Sequence, residues 1–177
     1  MATKIYIDQG HNPVNPNAGA EGNGYREQDL VYEIARQTAV ILRQNGLEVR
    51  LSRPTPETQL GTSNASSLAA RVNDANSWGA DYFISLHTNA SNITSASGSE
   101  AFVYTEASRA YPLAQNILTQ LNAATGLPNR GVSVRTNLYV LRRTRMPATL
   151  VELGFISNPG DADLMANEPQ LFARGVA

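Results

Sequence analysis

Asp81-Tyr-Phe-Ile-Ser-Leu-His87-Thr-Asn-Ala-Ser91 is the stretch whose reading decides the fold. Tyr82, Phe83, Ile84 and Leu86 form an apolar run of strand length, closed by a histidine and small polar residues. The only other histidine, His11, closes a second such run, Lys4-Ile-Tyr-Ile-Asp-Gln-Gly10. If the two strands lie parallel in one sheet, both imidazoles stand at carboxyl ends, where α/β sheets gather their ligands. Two histidines at two strand exits point to a single metal site.

Outward from these strands, the Gly-, Pro- and Asn-rich run Asn12 to Gly24 reads as a loop able to line that site. A helix is expected from about Tyr25 to Asn45, with Gly46 as its stop. Leu30, Val31, Ile34, Ala35, Thr38, Ile41 and Leu42 recur at helical spacing and define its inward face. Extended backwards, that face reaches Glu27, whose carboxylate therefore points inward. An ordinary first-turn charge complementing the helix dipole remains the alternative for Glu27. Leu47–Leu51 reads as a strand, Ser52–Asn64 as a loop, and Ser66–Trp78 as a second helix with Leu68, Val72 and Ala75 inward. Beyond His87, the polar segment Asn89–Ser99 is a loop and Ala101–Tyr104 a strand. Leu113, Ile117, Leu118 and Leu121 mark a third helix ending near Gly126. Asn137–Leu141 and Ala148–Leu153 are the last strand candidates. A short helix follows Asn158-Pro-Gly, and a final one begins near Pro169 and is cut short at Ala177. Strands alternating with helices predict a single compact α/β domain over residues 1–177.

Composition excludes several classes of function. The 177 residues suit one domain, and 42% hydrophobic residues is ordinary for a globular chain. A net charge of −1 gives no polybasic signature, so neither nucleic acid nor a membrane surface is an expected partner. No cysteine is present, so disulfides and thiolate ligands are excluded and any transition-metal site must use His, Asp or Glu. No apolar stretch approaches membrane-spanning length, and no signal peptide precedes the first strand.

Glu152 lies inside an apolar strand run between Val151 and Leu153. Buried without a partner, its carboxylate would cost several kcal/mol or stay protonated. It pairs either with Arg142, Arg143 or Arg145 as a structural ion pair, or serves as a general base beside a metal. Set beside His11, Glu27 and His87, the second reading becomes specific. Two imidazoles and a carboxylate make a three-ligand zinc site with the fourth tetrahedral position left to water. Glu152 is then the separate carboxylate that relays a proton to a departing nitrogen. Packing of either histidine at a strand end is the competing reading, and no HExxH motif forces the ligands together. Ser85 or Ser91 with His87 has no spacing that favours a serine hydrolase, and no nucleophile elbow or phosphate loop is present.

The segments Ile7-Asp-Gln-Gly-His11, Glu27 at a helix start, Ser85-Leu-His-Thr-Asn-Ala90 and Leu150-Val-Glu-Leu-Gly-Phe-Ile-Ser-Asn158 resemble the zinc-dependent N-acetylmuramoyl-L-alanine amidases of bacterial cell walls. Leu51-Ser-Arg53, Arg71-Val-Asn-Asp-Ala-Asn76, Gly98-Ser-Glu-Ala-Phe-Val-Tyr104, Asn129-Arg-Gly131 and Leu138-Tyr-Val-Leu141 follow in the family's order, so the resemblance covers essentially the whole chain. It implies a twisted, mostly parallel sheet flanked by helices, of the phosphorylase/hydrolase-like kind. It also implies one zinc ion held by His11, Glu27 and His87, with Glu152 as the catalytic glutamate. The implied reaction is hydrolysis of the amide between N-acetylmuramic acid and the L-alanine of the peptidoglycan stem peptide, outside the cytoplasm, by a monomer. A zinc peptidase or carboxypeptidase acting on other peptides, and an inactive wall-binding module, are the alternatives. Gln9 and Asn12-Pro13 depart from the family's Asp-Pro-Gly-His-Gly-Gly, which puts the loop's shape in question. The short loop Asn89–Ser99 leaves no room for the blocking helix of some relatives, so an open site needing no activator is expected. Asp8 is a candidate to orient a zinc ligand, and Arg130 a candidate substrate contact.

Overall fold

The computed structural model describes residues 2–177. The chain runs β1 (Lys4–Gln9), a two-strand hairpin of β2 (Glu21–Gly22) and β3 (Tyr25–Arg26), α1 (Glu27–Gln44), β4 (Glu48–Leu51), α2 (Asn64–Trp78) and β5 (Tyr82–Asn89). It continues through β6 (Ser99–Val103), α3 (Ala110–Thr125), β7 (Asn129–Val134), α4 (Tyr139–Arg143), β8 (Ala148–Phe155), α5 (Pro159–Asn167) and α6 (Pro169–Val176).

Six strands form one sheet in the order β4-β1-β5-β8-β6-β7. All neighbours are parallel except β6 and β8. The expected α/β layering is thus present, with a single antiparallel junction one strand away from His87. Alternation along the strands sends side chains to two cores. Ile7, Leu86, Val151 and Leu153 pack with α1, α3 and α6, while Tyr6, Phe83, Phe102 and Leu150 pack with α2 and α4.

The helices form where their apolar residues repeat. On α1, Leu30, Val31, Ile34, Ala35, Thr38 and Leu42 are buried, as the spacing predicts. The helix opens at Glu27, two residues later than expected, because Tyr25 and Arg26 are taken up in the hairpin. α2 starts at Asn64, two residues earlier than expected, under a reciprocal cap in which Ser63 Oγ accepts from the Ser66 amide and Ser66 Oγ from the Ser63 amide. Gly79 ends it at φ 69°, a left-handed conformation that favours glycine.

Two expectations fail. Asn137–Leu141 is not a strand: Tyr139–Arg143 is a short helix, with Val140 and Leu141 buried against the α2 side of the sheet. A five-residue apolar run carries no decisive period, and the Leu138/Leu141 spacing was the helical signal in it. Asn129–Val134 is a strand that the apolar pattern does not predict. It lies at the sheet's edge with no fully buried residue, so it shows none of the apolar alternation that marks a half-buried strand.

Candidate metal centre and catalytic carboxylate

His11, Glu27 and His87 meet at the carboxyl ends of β1 and β5. Each offers one ligand atom, and the three atoms lie within 4.8 Å of one another. Register brings the two histidine strands together, since β1 and β5 pair directly from Ile5/Tyr82 to Gln9/Leu86. The loop and hairpin after His11 return the chain to the same place, where Glu27 opens α1 through its backbone N–H bonded to Ala20 O at 2.9 Å.

Glu27 is the hub. Its Oε2 is 3.2 Å from His11 Nε2 and its Oε1 is 3.1 Å from His87 Nδ1. The amide N–H groups of Ala20 and Thr88 donate to the same two oxygens at 3.0 and 2.9 Å. Burial alone raises its pKa, but hydrogen bonds from the two imidazoles outweigh that and hold the carboxyl well below its usual range. Burial likewise lowers the His87 pKa, and the hydrogen bond and charge of Glu27 reverse it, leaving a net rise. The imidazole edges meet at 80° with ring centroids 4.9 Å apart. An anionic carboxylate flanked by two imidazoles is a donor set suited to a divalent cation.

The close approach depends on glycines. A Cβ on Gly10 would stand 2.5 Å from His87 Cε1, and one on Gly19 would stand 2.9 Å from Glu27 Oε2 and 3.0 Å from His11 Cδ2. Both clashes fall on donor side chains, so these positions form a cradle that only glycine leaves free.

His11 itself has φ 68°, an uncommon conformation for a residue with a side chain. Its carbonyl is held by Arg71 Nη2 at 2.6 Å and approached by Arg53 Nη1 at 3.4 Å, and both arginines are 1% exposed. Arg71 Nη1 also donates to Gln9 O and pairs with Asp8 Oδ1 at 2.6 Å. Asp8 additionally accepts from Ser85 Oγ at 2.7 Å. Burial works against the Asp8 charge, but Arg71 and Ser85 win and its pKa is lowered. Asp8 therefore binds neither imidazole directly; it anchors the arginine that fixes the His11 backbone.

The departures from the family's strand exit fit this network. Asn12 is buried, its Nδ2 donating to Pro16 O and Leu60 O and its Oδ1 accepting from Leu60 N, which ties the loop after β1 to the loop before α2. Gln9 Oε1 accepts the Arg53 amide at 2.7 Å. The motif Arg71-Val-Asn-Asp-Ala-Asn76 includes Arg71 but gives it no role, although it falls between Leu68 and Ala75 on the inward stripe of α2. An arginine on an apolar stripe was the available signal.

Glu152 sits opposite His87 in the β5/β8 pairing and opposite Glu100 in the β8/β6 pairing. None of Arg142, Arg143 and Arg145 forms an ion pair with it among the described residues. Its Oε2 is buried without a hydrogen-bond partner. Burial first, then the charges of Glu27 and Glu100 against the opposing His87, push its carboxyl up to about 7. The Arg130 Nη1 donates to Ser97 O, and its guanidinium lies 5.0 Å over the Phe155 ring. Residues 90–98 cross from β5 to β6 without a helix.

A doubly wound sheet with His, Glu and His gathered at two strand exits, and an unpaired carboxylate one strand further on, has the make-up of a metal-dependent hydrolase. The chain belongs to the N-acetylmuramoyl-L-alanine amidase family, which it matches over residues 5–177. It is 35% identical to the N-acetylmuramoyl-L-alanine amidase CwlM of Bacillus licheniformis over 98% of this chain and 66% of that protein. It is also 35% identical to the sporulation-specific N-acetylmuramoyl-L-alanine amidase of Bacillus subtilis, over 98% of this chain and 65% of that one. The chain thus spans just under two thirds of these relatives. Among solved structures, an N-acetylmuramoyl-L-alanine amidase from Clostridium difficile superposes with a TM-score of 0.87 at 31% identity, covering 99% of this chain and 92% of that one. The catalytic domain of CwlV from Bacillus (Paenibacillus) polymyxa gives 0.84 at 30% identity, covering 98% and 93%.

Proposed function

We propose that this chain is a zinc-dependent N-acetylmuramoyl-L-alanine amidase, hydrolysing the amide between the lactyl group of N-acetylmuramic acid and the L-alanine of the peptidoglycan stem peptide. Residues 1–177 act as one catalytic domain, as a monomer, on the wall outside the cytoplasm; no helix among the described residues is long and apolar enough to cross a membrane. His11, Glu27 and His87 hold the ion, and Glu152 is the catalytic carboxylate.

The observation that carries this reading is Glu152, half-buried with its Oε2 buried and unpaired, in register with His87. Zinc in the His11/Glu27/His87 cluster supplies Lewis acidity at a carbonyl oxygen and lowers the pKa of water. Glu152 takes a proton from water and delivers it to the alanine nitrogen as the C–N bond breaks. A raised carboxyl pKa suits both halves of that task, since the group must accept a proton and then release it near neutral pH. The Arg71 and Arg53 guanidiniums keep the His11 backbone turned so that its ring faces Glu27. The loop at residues 90–98 leaves the cluster open, so no activator is required.

Mass spectrometry of purified peptidoglycan after digestion tests the reading. Release of stem peptides with a free L-alanine amine is the expected result. Trimming of terminal residues from linear peptides instead assigns the chain to the zinc peptidases, and binding without cleavage assigns it to the inactive modules.

A further inference from the structure

Beside Glu152 stands a second carboxylate to which the reaction above gives no task. Glu100 on β6 is directly opposite Glu152, which is in turn directly opposite His87. Paired residues of adjacent strands project from the same sheet face, so the three side chains form one row leading away from the metal cluster. Glu100 is half-buried, and its Oε1 accepts a hydrogen bond from Asn89 Nδ2, which fixes the carboxylate in that row. Among the described residues no arginine, lysine or histidine forms an ion pair with Glu100 or Glu152. The buried Oε2 of Glu152 has no partner at all. Like charges directly opposite each other in a sheet are destabilising, so the fold carries this pair at a cost that a ligand would relieve.

We infer that Glu100 and Glu152 together form a subsite for the amine side of the scissile bond, in which Glu100 binds the liberated L-alanine ammonium and directs the stem peptide over β6 and β7. This rests on the amidase reading above. Hydrolysis breaks the C–N bond and forms a C–O bond. Water gives its hydroxyl to the acyl carbon and a proton, through Glu152, to the nitrogen. At neutral pH the acyl product then loses its proton and the amine gains one, because an α-amino group has a pKa of about 7.7–8.0. The leaving side therefore turns from a neutral amide into a cation while the acyl side becomes an anion. Two carboxylates at roughly one strand spacing, about 4.8 Å, suit the former and repel the latter. The row fixes a polarity: acyl group and glycan toward β1 and β5, peptide toward β6 and β7.

Calorimetric titration of the metal-loaded enzyme with an L-alanyl dipeptide bearing a free amino terminus, and with its N-acetylated twin, tests the inference. The wild-type enzyme is expected to bind the free amine at least about tenfold more tightly, as befits a charge-assisted contact. Glu100→Gln keeps an acceptor for Asn89 but removes the charge. It is expected to bring the two peptides within about twofold, with metal content unchanged and Tm equal or higher because the like-charge pair is relieved. Glu100→Asp keeps the charge on a shorter arm and is expected to retain part of the preference, which decides the matter if Glu100→Gln does not fold. An undiminished preference in the charge-removed variant, or none in the wild-type enzyme, overturns the inference. Muropeptide digestion by the same preparations separates the two levels. Free-alanine ends without an amine preference count against this subsite alone, whereas absence of such ends counts against the amidase reading.

Discussion

The two halves of the cleft differ in how their carboxylates are paired. On the β1/β5 side the charges are paired: Asp8, Arg71, Asn12 and the His11 carbonyl are linked by hydrogen bonds, and the Glu27 carboxylate meets two backbone amides and two imidazoles, although Gln9 Nε2, His11 Nδ1, Arg53 Nε, Arg71 Nε and Thr88 Oγ1 are buried there without partners. On the β8/β6 side, Glu152 has a buried oxygen with no partner and a like charge opposite it. Carboxylates paired with guanidinium, amide and imidazole groups hold a ligand set in place, whereas an unpaired carboxylate keeps a high free energy that a proton, water or substrate can lower. Holding and reacting are thus assigned to neighbouring strands, and variants should divide along that line.

His87→Ala on the holding side is expected to abolish both metal binding and turnover, with a fall in affinity well beyond the roughly 10–100-fold produced by residues that only orient a ligand. Metal analysis after dialysis checks it, and retention of one ion per chain would contradict it. Glu152→Gln on the reacting side is expected to keep the ion and lose turnover by a factor on the order of 10²–10⁴. Near-normal hydrolysis by this variant would remove Glu152 from the mechanism.

The same variant has a signature in stability. The folded carboxyl pKa of about 7 lies above the ordinary 4.5 of a glutamate, so the fold favours the protonated form. Its contribution is fully present below about pH 4.5 and is lost as pH rises through 7. Metal-free Glu152→Gln is therefore expected to gain on the wild-type protein as pH is raised from 5 to 8, by up to about 3 kcal/mol. Denaturant melts at several pH values measure this; a constant difference would mean that Glu152 is not destabilised by its setting.

Arg71→Met breaks a buried pair and frees the His11 carbonyl. A loss of about 3–5 kcal/mol in stability is expected. Metal affinity should fall by roughly 10–100-fold as His11 relaxes from its left-handed conformation. Unchanged affinity in protein that remains folded would show that the arginine supports the fold without orienting the ligand. At the small end, Glu33→Ala on the exposed face of α1 removes a surface pair with Arg36 and should cost no more than about 0.5 kcal/mol, leaving metal binding untouched.

The sequence exposes the two halves unevenly. His11, His87 and Glu152 were legible because each interrupts or closes an apolar strand run, and Glu27 because the stripe of α1 extends back to it. The parallel pairing of β1 and β5 is a condition of that reading, which the register from Ile5/Tyr82 to Gln9/Leu86 meets. Arg71 stands out only as part of a motif, because a charged residue is read as solvated unless its place on an inward stripe is weighed. Glu100 carries no such mark, since its place opposite Glu152 arises from an antiparallel register that a strand's own sequence does not state. The helix at Tyr139–Arg143 and the edge strand at Asn129–Val134 are short elements whose form is set by what they pack against, so local pattern had little hold on them.

The central claim is that one divalent ion is gripped by His11, Glu27 and His87 while Glu152 stands free beside it. A crystal grown with zinc, measured at the metal's absorption edge, addresses it directly. The account predicts a single anomalous peak at ligand distances of about 2.0–2.2 Å from those three side chains, with Glu152 unbound. A peak elsewhere, or one that takes Glu152 in place of a histidine, would contradict it.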